Sequence, residues 1–173
     1  MGFDEFAAAR LPALLRYAFV LCGDRELARD MTQEVLARAL VKWQRIERAE
    51  RPDAYVRAML TNEFLSLRRR KAVATVAMTY EHLDGPGAPA VDASHAISDR
   101  AELWQHLGTL PRRQRAVLVL RYYEDLSDAE IADVLGCRPS TVRSHATRAL
   151  ATLRVELTNV KAPVLAVRDG DGS

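Results

Sequence analysis

The sequence predicts an all-α protein built from two small helical domains that are joined by a flexible linker. Hydrophobic residues make up 49% of the 173 residues but aromatic residues only 6%, and the apolar positions recur at the three- and four-residue spacing of amphipathic helices. The segment 83–95, "LDGPGAPAVDASH", interrupts this spacing with Gly, Pro and Asp, a composition typical of linkers. Long alternating runs of β-branched residues, which would indicate strands, are absent from the sequence.

The first half of the chain predicts four helical segments. The stretches "FDEFAAAR" and "PALLRYAFVLC" are typical of two helices, with Pro12 in the first turn of the second, where a missing N–H costs little. Asp24 is placed to cap a helix that runs to about Trp43, and Pro52 opens the next helix. The apolar stripes of these last two helices are Leu27, Met31, Val35, Ala39 and Trp43, followed by Val56, Leu60, Phe64 and Leu67.

The second half regains helical periodicity near Ser98 and loses it past about Leu157. Pro111 restarts a helix, and Ser127 with Glu130 forms a capping box for the next one. The first apolar stripe of this half is formed by Leu103, Trp104, Leu107 and Leu110. We therefore expect each half to bury one modest core of its own.

These signals divide the chain into four parts. The helical domains cover 1–72 and 98–157, a flexible acidic linker covers 73–97, and a disordered tail covers 158–173.

Charge is distributed unevenly along the chain, although the net charge of +2 is too small to identify a nucleic-acid binder. Residues 42–71 carry nine Lys and Arg against four Asp and Glu, and residues 138–154 carry four Arg and no acid. Residues 81–102 carry five acids and one Arg. The two basic segments are the candidates for contact with phosphates.

The cellular compartment of the protein and the redox state of its two cysteines are predicted from the absence of CxxC spacing, a signal peptide and a long apolar run. Cys22 and Cys137 are far apart, with no CxxC spacing, so we expect two reduced thiols that pack. No signal peptide and no apolar run of membrane-spanning length are found. A cytoplasmic protein without a membrane span is expected.

The segment 133–150, "DVLGCRPSTVRSHATRAL", carries the clearest motif. A helix over about Asp128–Leu135, a turn at Gly136 and a second helix over about Ser140–Arg154 match the helix-turn-helix pattern. The buried stripe of the second helix is Val142, Ala146, Leu150 and Leu153. The residues predicted to face DNA are Arg138, Ser140, Thr141, Arg143, Ser144, Thr147 and Arg148.

Short hydroxyl side chains on this second helix allow the backbone to approach a groove, and Arg can bind guanine. His145 lies beside the buried stripe and is not expected to contact bases. A plain helical hairpin with a solvated polar face remains the alternative interpretation of the motif.

Two polar faces in the first half are further candidates for binding. Asp30, Gln33 and Glu34 form a compact patch whose two carboxylates stand four residues apart, a like-charge spacing that slightly destabilises a helix unless a basic partner offsets it. The second face, on the helix from Pro52, comprises Arg57, Thr61, Asn62, Ser66 and Arg69. Each could equally be a solvated helix face.

Together these segments resemble the extracytoplasmic-function (ECF) group of sigma-70-type RNA polymerase sigma factors, over about residues 3–157. "LARDMTQEVLARAL" (27–40) is similar to the region-two helix, "YVRAMLTNEFLSLRRRK" (55–71) to the helix that follows it, and "LPRRQRAVLVLRYYEDLSDAEIADVLGCRPSTVRSHATRALATLR" (110–154) to region four. "GDRELARDMTQEVLARA" and "RPDAYVRAML" are most similar to the SigE-family subset. The short linker also fits the ECF group.

The resemblance implies a promoter-specificity subunit, not an enzyme, with core RNA polymerase and promoter DNA as partners. Asp30, Gln33 and Glu34 match the family's D-x-x-Q-E core, which contacts the clamp helices of the polymerase β′ subunit. Asn62 matches a promoter-reading Asn on the helix that contacts the minus-ten element. Region four would bind the minus-thirty-five element and the β flap, and an anti-sigma factor is a further partner that the family suggests.

One loop departs from the family pattern. Many ECF members carry a G-x-S-x-F-x-x-W stretch before the minus-ten helix, where this chain has "ERAERPDAYV". Family loops at this place capture a flipped base, so the resemblance places the pocket for that base within Gln44–Asp53.

Two other classes of function are alternatives to a sigma factor. A stand-alone helix-turn-helix regulator that binds DNA as a dimer would need a dimerisation surface, and the sequence shows no heptads. A small helical enzyme is disfavoured because the four His show no metal-ligand spacing, no Gly-rich phosphate loop occurs, and no Ser or Cys has an identifiable base. We therefore predict no metal, no cofactor and no catalytic residue.

Overall fold

The computed structural model describes residues 1–67 and 105–165, with side chains as far as Val155. The described residues contain helices and no strand, which confirms the predicted all-α class. The helices are α1 (Phe3–Cys22), α2 (Arg25–Val41), α3 (Trp43–Ile46), α4 (Pro52–Ser66), α5 (Arg112–Leu118), α6 (Asp128–Leu135) and α7 (Pro139–Leu165). Residues 105–109 are also helical. The predicted linker, Leu103, Trp104 and residues 166–173 lie outside the described residues.

Helix α1 is continuous, so the predicted break at Pro12 is wrong. Pro12 lies inside the helix and is exposed. The missing N–H removes one backbone hydrogen bond, but the ring faces solvent and the Ala-rich turn before it favours helix strongly. The helix ends instead at Gly23, whose φ of 73° is left-handed and whose N–H donates to the Phe19 carbonyl at 2.8 Å.

Helix α2 begins as predicted, because the Asp24 carboxylate accepts a hydrogen bond from the Leu27 N–H at 2.8 Å. The helix ends at Val41, and the short α3 then places Trp43 against Phe6, with ring centroids 4.9 Å apart. Helices α1, α2 and α4 pack together around the buried side chains of Leu14, Tyr17, Met31, Val35, Val56 and Leu60. The stripes predicted for α2 and α4 thus face the core.

In the second half, α5 passes directly into a π-helical turn over Val119–Tyr123. The Glu124 N–H donates to the Val119 carbonyl at 3.2 Å and closes that wider turn. The capping box of Ser127 and Glu130 is confirmed, with both reciprocal bonds present. Gly136 ends α6 with a left-handed φ of 63°, as predicted for the turn of the motif.

Helix α7 differs from the prediction in its stripe and in its end. Leu150 is 39% exposed, and Ala149, at 0%, takes its place in the core. At 3.6 residues per turn, position 149 lies about 20° from Val142 around the axis, whereas position 150 lies about 80° away. The helix also continues to Leu165, into the segment predicted to be a disordered tail, and no Gly or Pro occurs from Arg154 to Ala162, before Pro163.

The two halves share one core, contrary to the expectation of two separate ones. Ala116, Val117, Val119 and Leu120 belong to the same buried cluster as Tyr17 and the other first-half core residues. Five consecutive residues, 116–120, are buried. A helix that is apolar all round cannot bury itself against one neighbour, so this segment packs against α4 as well as α7. A smaller cluster comprises Leu107, Leu110, Leu118, Ala149 and Leu153.

Both cysteines are free thiols, as expected. Burial raises the pKa of Cys22 to about 11, so its thiol stays protonated near neutral pH. None of the described helices combines the length and hydropathy that a membrane span needs.

Candidate nucleic-acid and protein interfaces

The three residues predicted to bind a protein partner line one groove. Asp30, Gln33 and Glu34 are exposed on successive turns of α2. The groove has a volume of about 590 Å³, and its other lining residues are Leu27, Met31, Ala37, Glu63, Leu67 and Arg112. An acidic rim thus surrounds a partly apolar floor, an arrangement that suits a partner with basic and apolar side chains.

The carboxylates of this acidic groove differ in their partners. Glu34 lies 3.4 Å from the Arg38 guanidinium, which also forms an ion pair with Glu63. Within residues 1–67 and 105–155, Asp30 forms no ion pair. The exposed pair of Glu34 and Arg38 is worth little in water, so both rim carboxylates remain available to a cationic partner.

Helix α4 presents only part of the face that was predicted to bind DNA. Asn62 and Ser66 are exposed, and the Ser66 hydroxyl donates to the Glu63 carbonyl at 2.8 Å. Arg69 lies outside the described residues. The exposed Asn62 amide can donate and accept hydrogen bonds with a base edge.

Thr61 disagrees with the prediction. Its side chain is 0% exposed, lies 2.7 Å from the Tyr17 hydroxyl and donates to the Arg57 carbonyl at 3.1 Å. Position 61 faces α1 rather than solvent, so Thr61 cannot touch DNA in this structure. It belongs to the core of the first half.

Arg57 is partly covered by the second half of the chain. Its Nη1 lies 2.5 Å from Glu124 Oε2, and its Nη2 lies 3.7 Å from Asp53 Oδ2 on the same helix. Burial lowers the pKa of Arg57. The hydrogen bond and charge of Glu124, together with the charge of Asp53, raise the pKa by more than burial lowers it, so the net shift is upward. The guanidinium is thus fully charged and already paired.

The helix-turn-helix of α6 and α7 presents its polar face as the motif predicts. Val142 and Ala146 are buried beneath it. Of the seven residues predicted to face DNA, Thr141 is half-buried and the other six are exposed. Arg143 is 61% exposed and its Nη1 lies 3.8 Å from Asp128 Oδ2. Asp128 also forms an ion pair with Arg121. Asp128 thus lies between Arg121 and Arg143, with Arg143 at the longer and more exposed of the two contacts.

Comparisons with known proteins match both halves. A family model described as "Sigma-70 region 2" matches residues 6–73, and one described as "Sigma-70, region 4" matches residues 100–153. The RNA polymerase sigma-E factor of Streptomyces coelicolor is 39% identical over 160 residues, which cover 91% of this chain and 86% of that protein. The ECF RNA polymerase sigma factor SigL of Mycobacterium tuberculosis is 33% identical over 156 residues, which cover 90% of this chain and 86% of that protein.

The chain belongs to the ECF group of RNA polymerase sigma factors. This confirms the resemblance seen in the motifs, and it favours a transcription initiation factor over a stand-alone dimeric regulator. A solved structure described as the sigma factor RpoE of Bartonella quintana in complex with the anti-sigma factor NepR has a TM-score of 0.68 at 24% identity, covering 92% of this chain and 98% of that chain. At that identity the likeness supports the fold alone.

His145 of this sigma factor is half-buried beside the α7 stripe, as the sequence indicates. Burial lowers its pKa, and the positive charges of Arg113 and Arg148 lower it further. Its Nδ1 is buried and has no hydrogen-bond partner among the described residues. A neutral His145 therefore adds no charge to the DNA-facing side. The described part of the sigma factor also contains no cluster of His, Cys, Asp and Glu suited to a metal.

Sequence reasoning missed the contacts between the two halves of the sigma factor. Arg112 donates to the Phe64 carbonyl at 3.4 Å, and Arg115 donates to the Val20 carbonyl at 3.1 Å. Glu124 forms an ion pair with Arg57. The signal that could have revealed them is the apolar run of residues 116–120, which begins directly after Arg115.

Proposed function

We propose that this sigma factor directs core RNA polymerase to promoters through two DNA-reading ends and one polymerase-docking groove. Residues 1–72 would dock on polymerase and hold the minus-ten element. Residues 98–157 would bind the minus-thirty-five element, and residues 73–97 would connect these two domains as a flexible linker. The observation that carries the proposal is the α7 face, where residues 138–154 contain four Arg and no acid above a helix-turn-helix core.

At the minus-thirty-five element, α7 would lie in the major groove. The short side chains of Ser140, Thr141, Ser144 and Thr147 let the backbone approach the base edges, and Arg143 can bind guanine with two hydrogen bonds. Arg138 in the turn and Arg148 one turn further along are placed for phosphates. The acids of α6 would keep that helix away from the DNA backbone.

At the polymerase, the acidic groove would receive the clamp helices of the β′ subunit, as the family resemblance implies. Asp30 and Glu34 supply the charge, Gln33 can donate and accept, and the apolar floor at Met31 adds burial. The β flap would contact the second half.

At the minus-ten element, unwound DNA would be held on α4. Asn62 is the proposed base reader, with Ser66 beside it, and Arg57 and Arg69 supply attraction for phosphates. A pocket for a flipped base would come from residues within Gln44–Asp53. Thr61 is buried and does not reach the DNA-facing side of α4.

A net charge of +2 is enough under this proposal. Two weak DNA contacts on one polymerase reinforce each other through effective concentration, so neither needs high affinity alone. The protein would act in the cytoplasm, would catalyse no reaction itself and would need no cofactor. An anti-sigma factor is proposed as a further partner, as the family resemblance implies.

Run-off transcription tests the proposal directly. Core polymerase with this protein should give discrete transcripts from a genomic fragment library, and core polymerase alone should not. Absence of any protein-dependent transcript across the library would refute the proposed function. The variant Arg143→Ala, with the groove intact, should bind polymerase normally but lose upstream-element preference.

A further inference from the structure

We propose that Glu63 is a positioning residue for polymerase docking, which holds Arg38 away from the Glu34 carboxylate and so leaves that carboxylate open to a cation of the partner. The proposal rests on the function proposed above, since that function assigns Glu34 and the acidic groove to polymerase. Glu63 lies on α4 and lines the groove, whereas Glu34 and Arg38 lie one turn apart on α2.

The Arg38 side chain lies where it could neutralise a docking acid of its own helix. Glu34 precedes Arg38 by four residues, which is the order in which an acid and a base on one helix pair most favourably. The Glu34 and Arg38 side chains are 50% and 43% exposed, so both can turn towards each other or towards a partner. A cation of polymerase must therefore compete with Arg38 for Glu34, unless another group of this chain binds Arg38.

Arg38 directs its hydrogen bonds to two oxygens other than the Glu34 carboxylate. Its Nη2 donates to Glu63 Oε2, and its Nε donates to the Glu34 backbone carbonyl at 3.5 Å. The Glu34 carboxylate lies 3.4 Å from the Arg38 Nε as an ion pair, but it accepts no hydrogen bond within residues 1–67 and 105–155. The lone pairs of both Glu34 carboxylate oxygens thus stay available to a donor of the partner.

Burial makes Glu63 the stronger of the two carboxylate partners of Arg38. Its side chain is 9% exposed, and an ion pair with less water around it is screened less than an exposed one. Glu63 also depends on this pair, because Arg38 is its only cationic partner in the described part of the chain, and a buried carboxylate without a cation is costly. The Arg38 guanidinium is therefore retained by α4.

The charge that the groove presents follows from this pairing. Arg38 and Glu63 neutralise each other, so the acids left for a partner are Asp30 and Glu34. Arg112 also lines the groove, but it is engaged with α4 and forms no ion pair among the residues whose side chains are described. Two carboxylates on successive turns of α2 thus face the groove without a hydrogen-bonded cation of their own.

The test first weakens the hold on Arg38 and then removes Arg38 itself. Glu63→Gln keeps the shape of the side chain and removes the charge that binds the guanidinium. The double variant Glu63→Gln with Arg38→Met also removes the cation but keeps an unbranched apolar stem. The control, Glu47→Gln, removes an exposed carboxylate outside the groove.

Competition for core polymerase measures the affinity of each variant. The unlabelled full-length chains displace a fluorescein-labelled wild-type chain from purified core polymerase, and fluorescence anisotropy reports the displacement. Circular dichroism with urea denaturation reports the fold and stability of the same chains, so that a change in affinity can be compared with a change in stability.

We expect Glu63→Gln to bind core polymerase about two- to fivefold more weakly than Glu47→Gln. The released Arg38 would then pair with Glu34, and exposed ion pairs have about that strength. The double variant should recover most of the lost affinity, since no cation remains to occupy Glu34. A purely structural role of Glu63 predicts the opposite, because removing a second side chain from the same contact would not restore binding.

Equal affinities of Glu63→Gln and Glu47→Gln would overturn the proposal. A loss of affinity that Arg38→Met does not relieve would overturn it as well, because Glu63 would then act through the fold and not through Arg38. If the labelled wild-type chain shows no rise in anisotropy with core polymerase, polymerase docking itself is refuted, together with the role assigned to Glu63.

Discussion

The Thr61 hydroxyl and the Tyr17 hydroxyl lie 2.7 Å apart, and they join α4 to α1 at a place with almost no exposure to solvent. Thr61 donates its proton to the Arg57 carbonyl at 3.1 Å, so Tyr17 is the donor between the two hydroxyls. A residue that the sequence predicts to bind DNA is therefore part of the polar support beneath the proposed DNA-binding helix. Without Thr61 the Tyr17 hydroxyl loses its hydrogen-bond acceptor, whereas without Tyr17 the Thr61 hydroxyl keeps its bond to the Arg57 carbonyl.

Replacing Thr61 should cost more stability than replacing Tyr17. Thr61→Val leaves the buried Tyr17 hydroxyl without its partner, which should lower the free energy of unfolding by about 1–3 kcal/mol. Tyr17→Phe removes the same bond but leaves Thr61 bonded to Arg57, so we expect a loss of about 1 kcal/mol. Urea denaturation followed by circular dichroism gives both values. The reverse order would contradict the assignment of Tyr17 as the donor.

Alkaline pH should destabilise the protein through Tyr17. Burial is the largest cause that raises its pKa, with Glu124 adding to it against the opposing effects of Thr61 and Arg57. The folded state thus favours the neutral phenol. Its stabilisation is complete below the unfolded-state pKa of about 10 and falls as pH rises above that value. Denaturation midpoints measured from neutral to strongly alkaline pH should fall less steeply for Tyr17→Phe. Parallel curves would argue against a buried, protonated Tyr17.

The stability of the protein should depend on the left-handed backbone of Gly136 in the turn of the helix-turn-helix. Its φ is 63°, and a Cβ built there would meet nothing within 4 Å. Gly136→Ala should therefore lower the free energy of unfolding by about 1–2 kcal/mol through backbone strain alone, not through a clash. Gly136→Asn should cost less, because Asn tolerates the left-handed region. Thermal unfolding of the two variants checks the order, and equal losses would point to a steric cause.

The sequence predicted local features well wherever one residue's chemistry decides them. The Asp24 cap, the Ser127 capping box and the Gly136 turn each depend on neighbours within four positions. It failed at Leu150, because a stripe spaced by four drifts around the helix, and at Pro12, because exposure decides whether a helix tolerates a proline.

Contacts between the halves could not be predicted in the same way. The partners Arg57 and Glu124 are separated by 67 positions, and Arg115 and Val20 by 95. No periodicity or local spacing relates such residues. The three groove residues on α2 were predicted because they lie on one helix face, whereas the contributions of Arg112 and Glu63 to that groove required the packed structure.

Charge reversal at Glu34 should abolish association with core polymerase. Glu34→Lys places a cation on the rim of the acidic groove, where a basic partner helix would be repelled. The fold should survive, because the Glu34 side chain is half exposed and its pair with Arg38 contributes little. Co-purification with tagged core polymerase measures the effect. The control Glu47→Lys reverses an exposed charge outside the groove, and normal recovery of Glu34→Lys alongside it would refute the docking assignment.

Arg143 should discriminate one base pair of the upstream element. A bidentate contact with guanine is worth about 1–3 kcal/mol against the wrong base, so holoenzyme carrying Arg143→Ala should lose that preference at one position. Arg143→Lys should recover binding only partly, since an ammonium lacks the fork that matches the guanine edge. Competitive binding to promoters substituted at single positions measures the change, with Arg29→Ala as a charge-matched control on the distant α2.

Asp128 allows a second test of base discrimination by Arg143. Its carboxylate lies 3.8 Å from the Arg143 guanidinium and also pairs with Arg121, so it is the α6 carboxylate placed to act on Arg143. Asp128→Asn should therefore weaken discrimination at the same base pair and at no other, while Asp133→Asn, an exposed carboxylate on the same helix, should not. Loss of affinity spread evenly over all positions would instead mean that Arg143 contacts phosphate, since phosphate contacts carry no sequence information.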